Sequence, residues 1–307
     1  MKKILMTISF LSAFMAFGEY SAKFINAMRK GADTSVEIRI SDDDRSPVSN
    51  ATVHVCYNVG SGRSEAFLKT DSNGKCLFAR KTNGYGEIYV NKEGFYDSES
   101  IFSFIDMGNE HDVKDGVWQP APLQVCIGLR KIKNPVEMKH SSKEMIVPAT
   151  NTWIGFDFVQ KDWTKPFGEG TIADIKMLLE WDGRMQWQYT DMKLKLDFQG
   201  DNMYLAKLNL CSAMPYVYKA DPSRFDTKEL TYYRVGRKPR LKKEFEKGSE
   251  LVVRCRCHTN DVDGCVYYNY VGIVNVKFAV DHQGRPVVRM PYYFNPTPND
   301  TNLEPKR

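Results

Sequence analysis

The chain has little of what usually announces chemistry. Among its 307 residues are only five histidines, His54, His111, His140, His258 and His282, and none stands in a His-Glu-x-x-His pair. No Gly-x-Ser-x-Gly and no Gly-x-x-x-x-Gly-Lys occurs, which removes the nucleophile elbow and the phosphate-cradling loop. Beyond the N-terminus no run approaches the ~18 apolar residues of a membrane-spanning helix. Charge is scarce too. The formal net charge is +5 and falls to +3 without Lys2 and Lys3. That is too small an excess for a dedicated nucleic-acid binder. No catalytic residue and no cofactor is expected.

What is present begins with residues 1–18. Lys2 and Lys3 precede an apolar run from Ile4 to Phe17, and Ala16-Phe17-Gly18 places small residues where a leader would be cut. The run is shorter than a bilayer span, so it reads as a secretory signal peptide rather than a buried helix. The expected destination is the periplasm or the outside of the cell, with no transmembrane segment in the mature chain. An oxidising compartment makes disulfides the first reading of the seven cysteines, and the odd number leaves one thiol over.

Residues 19–35 read as a lead-in segment in which Phe24, Ile25 and Met28 share one helical face. From Ser35 the period changes to two: Val36, Ile38 and Ile40 alternate with charged neighbours. Ala51, Val53 and Val55 follow, with Thr52, His54 and Cys56 opposite. Asp71-Ser72-Asn73-Gly74 is a tight-turn signal, and Ile88-Tyr89-Val90 lies among further glycine turns. Leu123, Val125, Ile127 and Leu129 alternate again, closing a first β-sandwich over 36–131. Asp42-Asp43-Asp44 lacks the spacing and the glycine of a calcium loop and reads as a solvated turn.

Pro47-Val48 with Ala51-Thr52-Val53, Thr70-Asp71 with Asn73-Gly74, and Gly94-Phe95-Tyr96 together resemble the carboxypeptidase-regulatory-like family. The resemblance covers roughly residues 36–131, with Phe95 standing where the family more often has Tyr. It implies a transthyretin-like, Ig-like β-sandwich and a non-catalytic add-on role. Across the mature chain, Asp115-Gly116 with Trp118, Asn134-Pro135, Trp153 with Gly155-Phe156-Asp157, Trp181-Asp182-Gly183 and the run from Asn295 to Glu304 resemble a group of exported bacterial proteins of unknown function. That likeness implies no activity.

Residues 132–150, polar and with two prolines, read as a linker. Residues 151–295 read as a second, larger antiparallel β-sandwich, making the chain all-β. Residues 296–307 read as a polar peripheral tail. In the second half Met185, Trp187 and Tyr189 mark a hairpin, and Arg234–Lys247 is a basic run diluted by Glu244 and Glu246, read as a solvated loop.

Cysteine placement makes Cys56 and Cys76 one disulfide candidate. Cys255, Cys257 and Cys265 make another, across a hairpin on which Cys255 and Cys257 share a face. A metal site of Cys255, Cys257, His258 and Cys265 is the alternative, though it lacks Cys-x-x-Cys knuckles. Aromatics are 12% of the chain, and Trp118, Trp163 and Trp187 are the candidate ligand platforms, since flat rings stack on sugars. The expected function is therefore an exported, non-catalytic envelope or secreted protein with an interaction role. Its partner would be another envelope protein or a polysaccharide. An accessory carbohydrate-binding protein is the alternative, and a hydrolase whose carboxylates or Cys/His pair meet only in three dimensions is the third reading.

Overall fold

The computed structural model describes residues 21–105, 113–183, 191–200, 202–207, 212–214, 216–235, 238–241, 249–262 and 264–306. The expected signal peptide, Trp187 with its hairpin, and most of the basic run lie outside these residues. The chain is all-β, as its alternation predicts, and divides into two compact units. The first is residues 1–132 with 211–213, and the second is the remainder.

The first unit opens with helix α1 (Ala22–Lys30) inside the expected lead-in segment. Ser21 caps it, its Oγ accepting from Phe24 N at 3.2 Å, and Gly31 ends it at φ +83°, its N–H donating to the Ala27 carbonyl. Phe24 is buried against Trp118, a burial worth about 1.5–3 kcal/mol. The strands are β1 (Ala32–Ser41), β2 (Thr52–Val59), β3 (Gly62–Lys69), β4 (Lys75–Thr82), β5 (Tyr85–Asn91), β6 (Phe95–Tyr96), β7 (Ser98–Ser103), β8 (Val113–Lys114), β9 (Val117–Trp118), β10 (Leu123–Gly128) and β11 (Arg130–Lys131).

One sheet runs β10-β1-β9-β8 with β4 also on β1, and the other runs β3-β2-β5-β7. β10 lies parallel to β1 and pairs Val36 with Leu123 through Ser41 with Gly128. Val36, Ile38, Phe78 and Ile127 from the first sheet meet Val53, Val55, Ile88, Val90 and Phe102 from the second in one core. The Asp71–Gly74 turn closes as expected: Asp71 Oδ1 accepts from Asn73 N and Lys75 N at 2.9 and 2.8 Å. Gly74 has φ +69°, and an added Cβ would sit 2.4 Å from the Ile40 carbonyl, so the turn needs glycine. Asp42 Oδ1 folds the acidic turn onto the N–H groups of Asp44 and Ser46, while Lys131 meets its other oxygen at 2.7 Å. The Lys131 ammonium holds the Asp42 carboxyl below its usual range despite some desolvation.

The second unit begins earlier than composition implied. Residues 132–150 are no free linker: β12 (Lys139–Ser141) and β13 (Glu144–Ile146) pair into its sheets. Then come β14 (Trp153–Asp157), β15 (Asp162–Trp163), β16 (Ile175–Glu180), β17 (Met192–Asp197), β18 (Met203–Lys207), β19 (Glu229–Val235), β20 (Lys238–Leu241), β21 (Ser249–Thr259), β22 (Val266–Val274), β23 (Lys277–Val280), β24 (Pro286–Arg289) and β25 (Tyr292–Asn295). The sheets run β15-β14-β16-β17-β19-β20, β12-β25-β22-β21-β18 and β13-β24-β23. Ile154, Phe156, Met177, Leu194 and Leu196 from the first face Leu251, Val253, Val271, Ile273 and Phe294 from the second.

The β21–β22 layer is buried on both faces, which explains why Leu251-Val252-Val253 is unbroken apolar sequence. Val252 and Tyr270 pack on the far side with Tyr204, Ala220 and Leu303. Leu303 belongs to the expected peripheral tail, and that expectation needs correcting. Glu304 is buried, its carboxylate accepting from Lys133 N and Asn134 N at 2.8 and 2.7 Å. Asn302 Nδ2 donates to the Asn134 carbonyl, and Asn295 Nδ2 donates to the Asn302 carbonyl. Asn302 and Glu304 of the tail are hydrogen-bonding groups turned inward, while residues 296–299 are exposed as expected.

Candidate functional site

In β2 the alternation sends Val53 and Val55 into the core and Thr52, His54 and Cys56 to the outward face of the β3-β2-β5-β7 sheet. Cross-strand register sets their neighbours. His54 stands opposite Phe67 on β3 and Tyr89 on β5, and Cys56 opposite Glu65 and Glu87. Residues distant in sequence therefore form one patch on rigid strands.

Three potential ligand atoms converge there. His54 Nε2 lies 2.8 Å from Glu65 Oε2 and 3.4 Å from Cys56 Sγ. All three atoms fall within 4.8 Å of one another. Phe67 stacks on the imidazole at 4.4 Å and 4°, and Tyr89 tilts beside it at 5.9 Å and 35°. Glu87 Oε2 accepts from Tyr89 Oη at 3.1 Å and from Arg63 Nη2 at 3.4 Å. Burial and the Glu87 carboxylate raise the Tyr89 phenol above its ordinary value, so it stays protonated. Hydrogen bonding to Cys56, with the nearby Glu87 charge, holds Arg63 protonated. Beside this patch is a cleft of about 540 Å³ whose walls include His54, Phe67, Tyr89, Asn91, Asp97 and Glu99.

A Cys/His pair in hydrogen-bond reach would serve a hydrolase if the histidine were a base oriented from its other nitrogen. Here thiol and carboxylate both approach Nε2. A nitrogen donating to Glu65 cannot accept the Cys56 proton. The arrangement is one of ligand atoms around a common point.

The second unit holds a different polar cluster. Arg256 Nη2 reaches Asp157 Oδ1 at 2.6 Å, and its Nε reaches Asp174 Oδ1 at 2.8 Å. Both carboxylates are buried, at 1% and 2% exposure. Asp157 also accepts from the N–H groups of Val159, Gln160, Thr171 and Ile172, and Asp174 from that of Phe158. Burial pushes the Asp157 carboxyl up, but its backbone donors and Arg256 outweigh that and hold it low. At Asp174 burial wins and the carboxyl is raised. These acids hold loops to a guanidinium, and with their oxygens so engaged they are not a facing acid/base pair in a cleft.

The residues singled out in the sequence fall elsewhere. Trp118 and Trp163 are core residues, donating from Nε1 to the Thr82 and Ile146 carbonyls at 2.9 Å each, and neither offers a ring face to solvent. Among the described residues no disulfide joins any two of Cys56, Cys76, Cys126, Cys255, Cys257 and Cys265. Cys76 lies on β4 of the opposite sheet, half-buried, its thiol pushed up to about 11 by burial and then by Asp71. Cys56 faces outward, away from it. Cys255 and Cys257 do not share a face, because a β-bulge at Arg256, with φ +54°, intervenes. Cys255 sits in the core, whereas Cys257 is exposed. His258 stacks on Tyr267, and Cys265 is exposed. Among the described residues the geometric convergence of metal-type ligands is at His54, Cys56 and Glu65 instead. The signal was the His-x-Cys spacing on one strand face, but strand register was needed to add Glu65.

Fold and sites together define a two-unit β-sandwich protein with an outward patch of mixed nitrogen, sulfur and oxygen ligands. No family model matches the chain, and no curated protein matches it. Among solved structures it is similar to the catechol 1,2-dioxygenase of Acinetobacter sp. ADP1 inhibited by bound mercury, at 12% identity and a TM-score of 0.25. The match covers 34% of this chain and 54% of that one, so about half the dioxygenase's length is spanned. A likeness this distant carries no functional argument.

Proposed function

We propose that this chain is an exported, non-catalytic protein with an interaction role at the cell envelope, and that the outward face of β3-β2-β5-β7 is its binding surface. The observation that carries the reading is the exposed aromatic bank: Phe67 is 68% and Tyr89 40% exposed, flanking His54 at the mouth of the cleft. Aromatic rings left in water on a rigid sheet beside a concave polar wall are the usual anatomy of a recognition surface.

A polysaccharide partner is the second reading. Ring faces at Phe67 and Tyr89 suit the apolar faces of sugars, and Asn91, Asp97 and Glu99 supply hydrogen-bonding groups for hydroxyls. The test is a glycan array probed with the purified protein and with a Phe67→Ala/Tyr89→Ala double variant. The bound glycan is then assayed for new reducing ends. Retention of one polysaccharide class, weakened about tenfold or more in the double variant, is the expected result for the sugar reading. A blank array discards that reading. Release of reducing ends overturns the non-catalytic role itself.

A further inference from the structure

We infer that His54, Cys56 and Glu65 form a binding site for a borderline-soft divalent cation, zinc or a zinc-like metal, on the outward face of the first sandwich. The sequence placed its alternative metal site at Cys255, Cys257, His258 and Cys265; strand register creates this one. The donor set is an imidazole, a thiolate and a carboxylate, a mixture that suits zinc better than calcium or magnesium, which take oxygen ligands.

The geometry is close to what such an ion requires. Tetrahedral zinc with ordinary bond lengths holds neighbouring sulfur and nitrogen ligands about 3.6 Å apart, and nitrogen and oxygen about 3.4 Å apart. The corresponding distances here are 3.4 and 2.8 Å. A cation entering between Nε2 and Oε2 replaces their hydrogen bond and opens that pair by about 0.6 Å. Such a movement is within reach of Glu65, whose side chain is 57% exposed. His54 needs less adjustment, since Phe67 already stacks on its ring and sets its orientation. Thiolate and carboxylate together neutralise a dication, so the filled site carries no net charge from its own ligands. Three protein ligands leave a fourth position for water or an outside donor.

Two neighbours modulate the site. Glu87 adds a negative charge close by, which favours a cation. Arg63 opposes one, because its guanidinium bonds to Glu87 and it stands two residues before Glu65 on the same strand. Its side chain is 68% exposed, leaving it room to swing outward. This yields a prediction that an accidental cluster of polar residues would not make: removing Arg63 should tighten metal binding.

The experiment is a titration of the purified, fully reduced protein with Co2+, followed by thiolate-to-cobalt charge transfer and by the d–d bands that report coordination number, with Zn2+ added in competition. One equivalent of Co2+ should bind, show thiolate ligation and be displaced by Zn2+. Cys56→Ser should abolish the charge-transfer band. His54→Ala and Glu65→Gln should each weaken binding at least as much as the ~10–100-fold that loss of an outer partner costs. Arg63→Gln should strengthen it, and Cys257→Ser should change nothing. Glu65→Gln and Arg63→Gln alter exposed side chains and so test the idea even if Cys56→Ser folds poorly. Absence of a thiolate–cobalt band in the native protein overturns the proposal. So does a band that survives Cys56→Ser or follows Cys257, and so does weaker binding in Arg63→Gln.

Discussion

Replacing Arg256 by Gln removes the cation from between two buried carboxylates, and the consequences for Asp157 and Asp174 should differ. Asp157 keeps the backbone donors of Val159, Gln160, Thr171 and Ile172. Asp174 loses both of its Arg256 bonds and is left with Phe158 N among the bonds described here. Breaking one side of a buried ion pair costs about 3–5 kcal/mol, most of it from the charge left behind. Asp174 is therefore the source of the penalty.

The pH dependence follows from the same residue. Burial already raises the folded-state pKa of Asp174, and loss of the guanidinium raises it further. A carboxyl whose folded pKa exceeds its unfolded value of about 3.9 opposes folding most when both states are ionised. The opposition lessens as pH falls through the folded pKa. The Arg256→Gln deficit should therefore be full near neutrality and shrink towards pH 4. Asp174→Asn placed on top of Arg256→Gln should recover much of it by removing the stranded charge. Urea unfolding of the second unit is the assay. With an m-value of about 3 kcal/mol per molar, a 3 kcal/mol loss lowers the midpoint by about 1 M. A deficit below about 1 kcal/mol would show that the stranded Asp174 charge costs little. One that does not vary with pH, or a double variant no better than Arg256→Gln alone, would refute the reasoning.

Two further perturbations test other parts of the fold. Asp42→Asn removes a carboxylate whose folded pKa Lys131 depresses. The stability it supplies is present above the unfolded pKa of about 3.9 and is lost as pH falls through the folded value. Native and variant melting temperatures should thus converge in acid, and a gap that widens there would reverse the assignment. Gly84→Ala puts a Cβ 2.7 Å from the Trp118 ring at φ +90°, combining left-handed strain with overpacking for a loss of about 2–4 kcal/mol. A melting temperature unchanged in that variant would show that Trp118 yields easily.

Much of the fold was legible because local rules and tertiary structure agree. Val36, Ile38 and Ile40 alternate in sequence and are buried in the core. Asp71–Gly74 has the residues its turn requires. Legibility failed where side chains serve distant partners. Composition made residues 132–150 a linker and 296–307 a tail, because both are polar. Their polar groups instead satisfy one another, with Glu304 and Asn302 bonded to Lys133 and Asn134 across about 170 residues of chain. The Asn134-Pro135 string and the final Asn-rich run, conspicuous as separate motifs, are two sides of one hydrogen-bonded knot. Trp118 and Trp163 show the complementary failure: a tryptophan reads the same in sequence whether it faces solvent or core.

By itself the sequence determined an all-β chain, the positions of its main turns, and which residues of β2 share a face. Those properties depend on neighbours within a few residues, through period-two alternation and positive-φ glycines. Only the tertiary structure decided which strands lie side by side, and hence that His54 and Cys56 meet Glu65 across one hairpin. It also decided that Asp157 and Asp174 meet Arg256 across 99 and 82 residues. A one-residue shift of register would turn each of those side chains to the other face of its sheet. Local sequence does not encode that register; the packing of the two cores selects it.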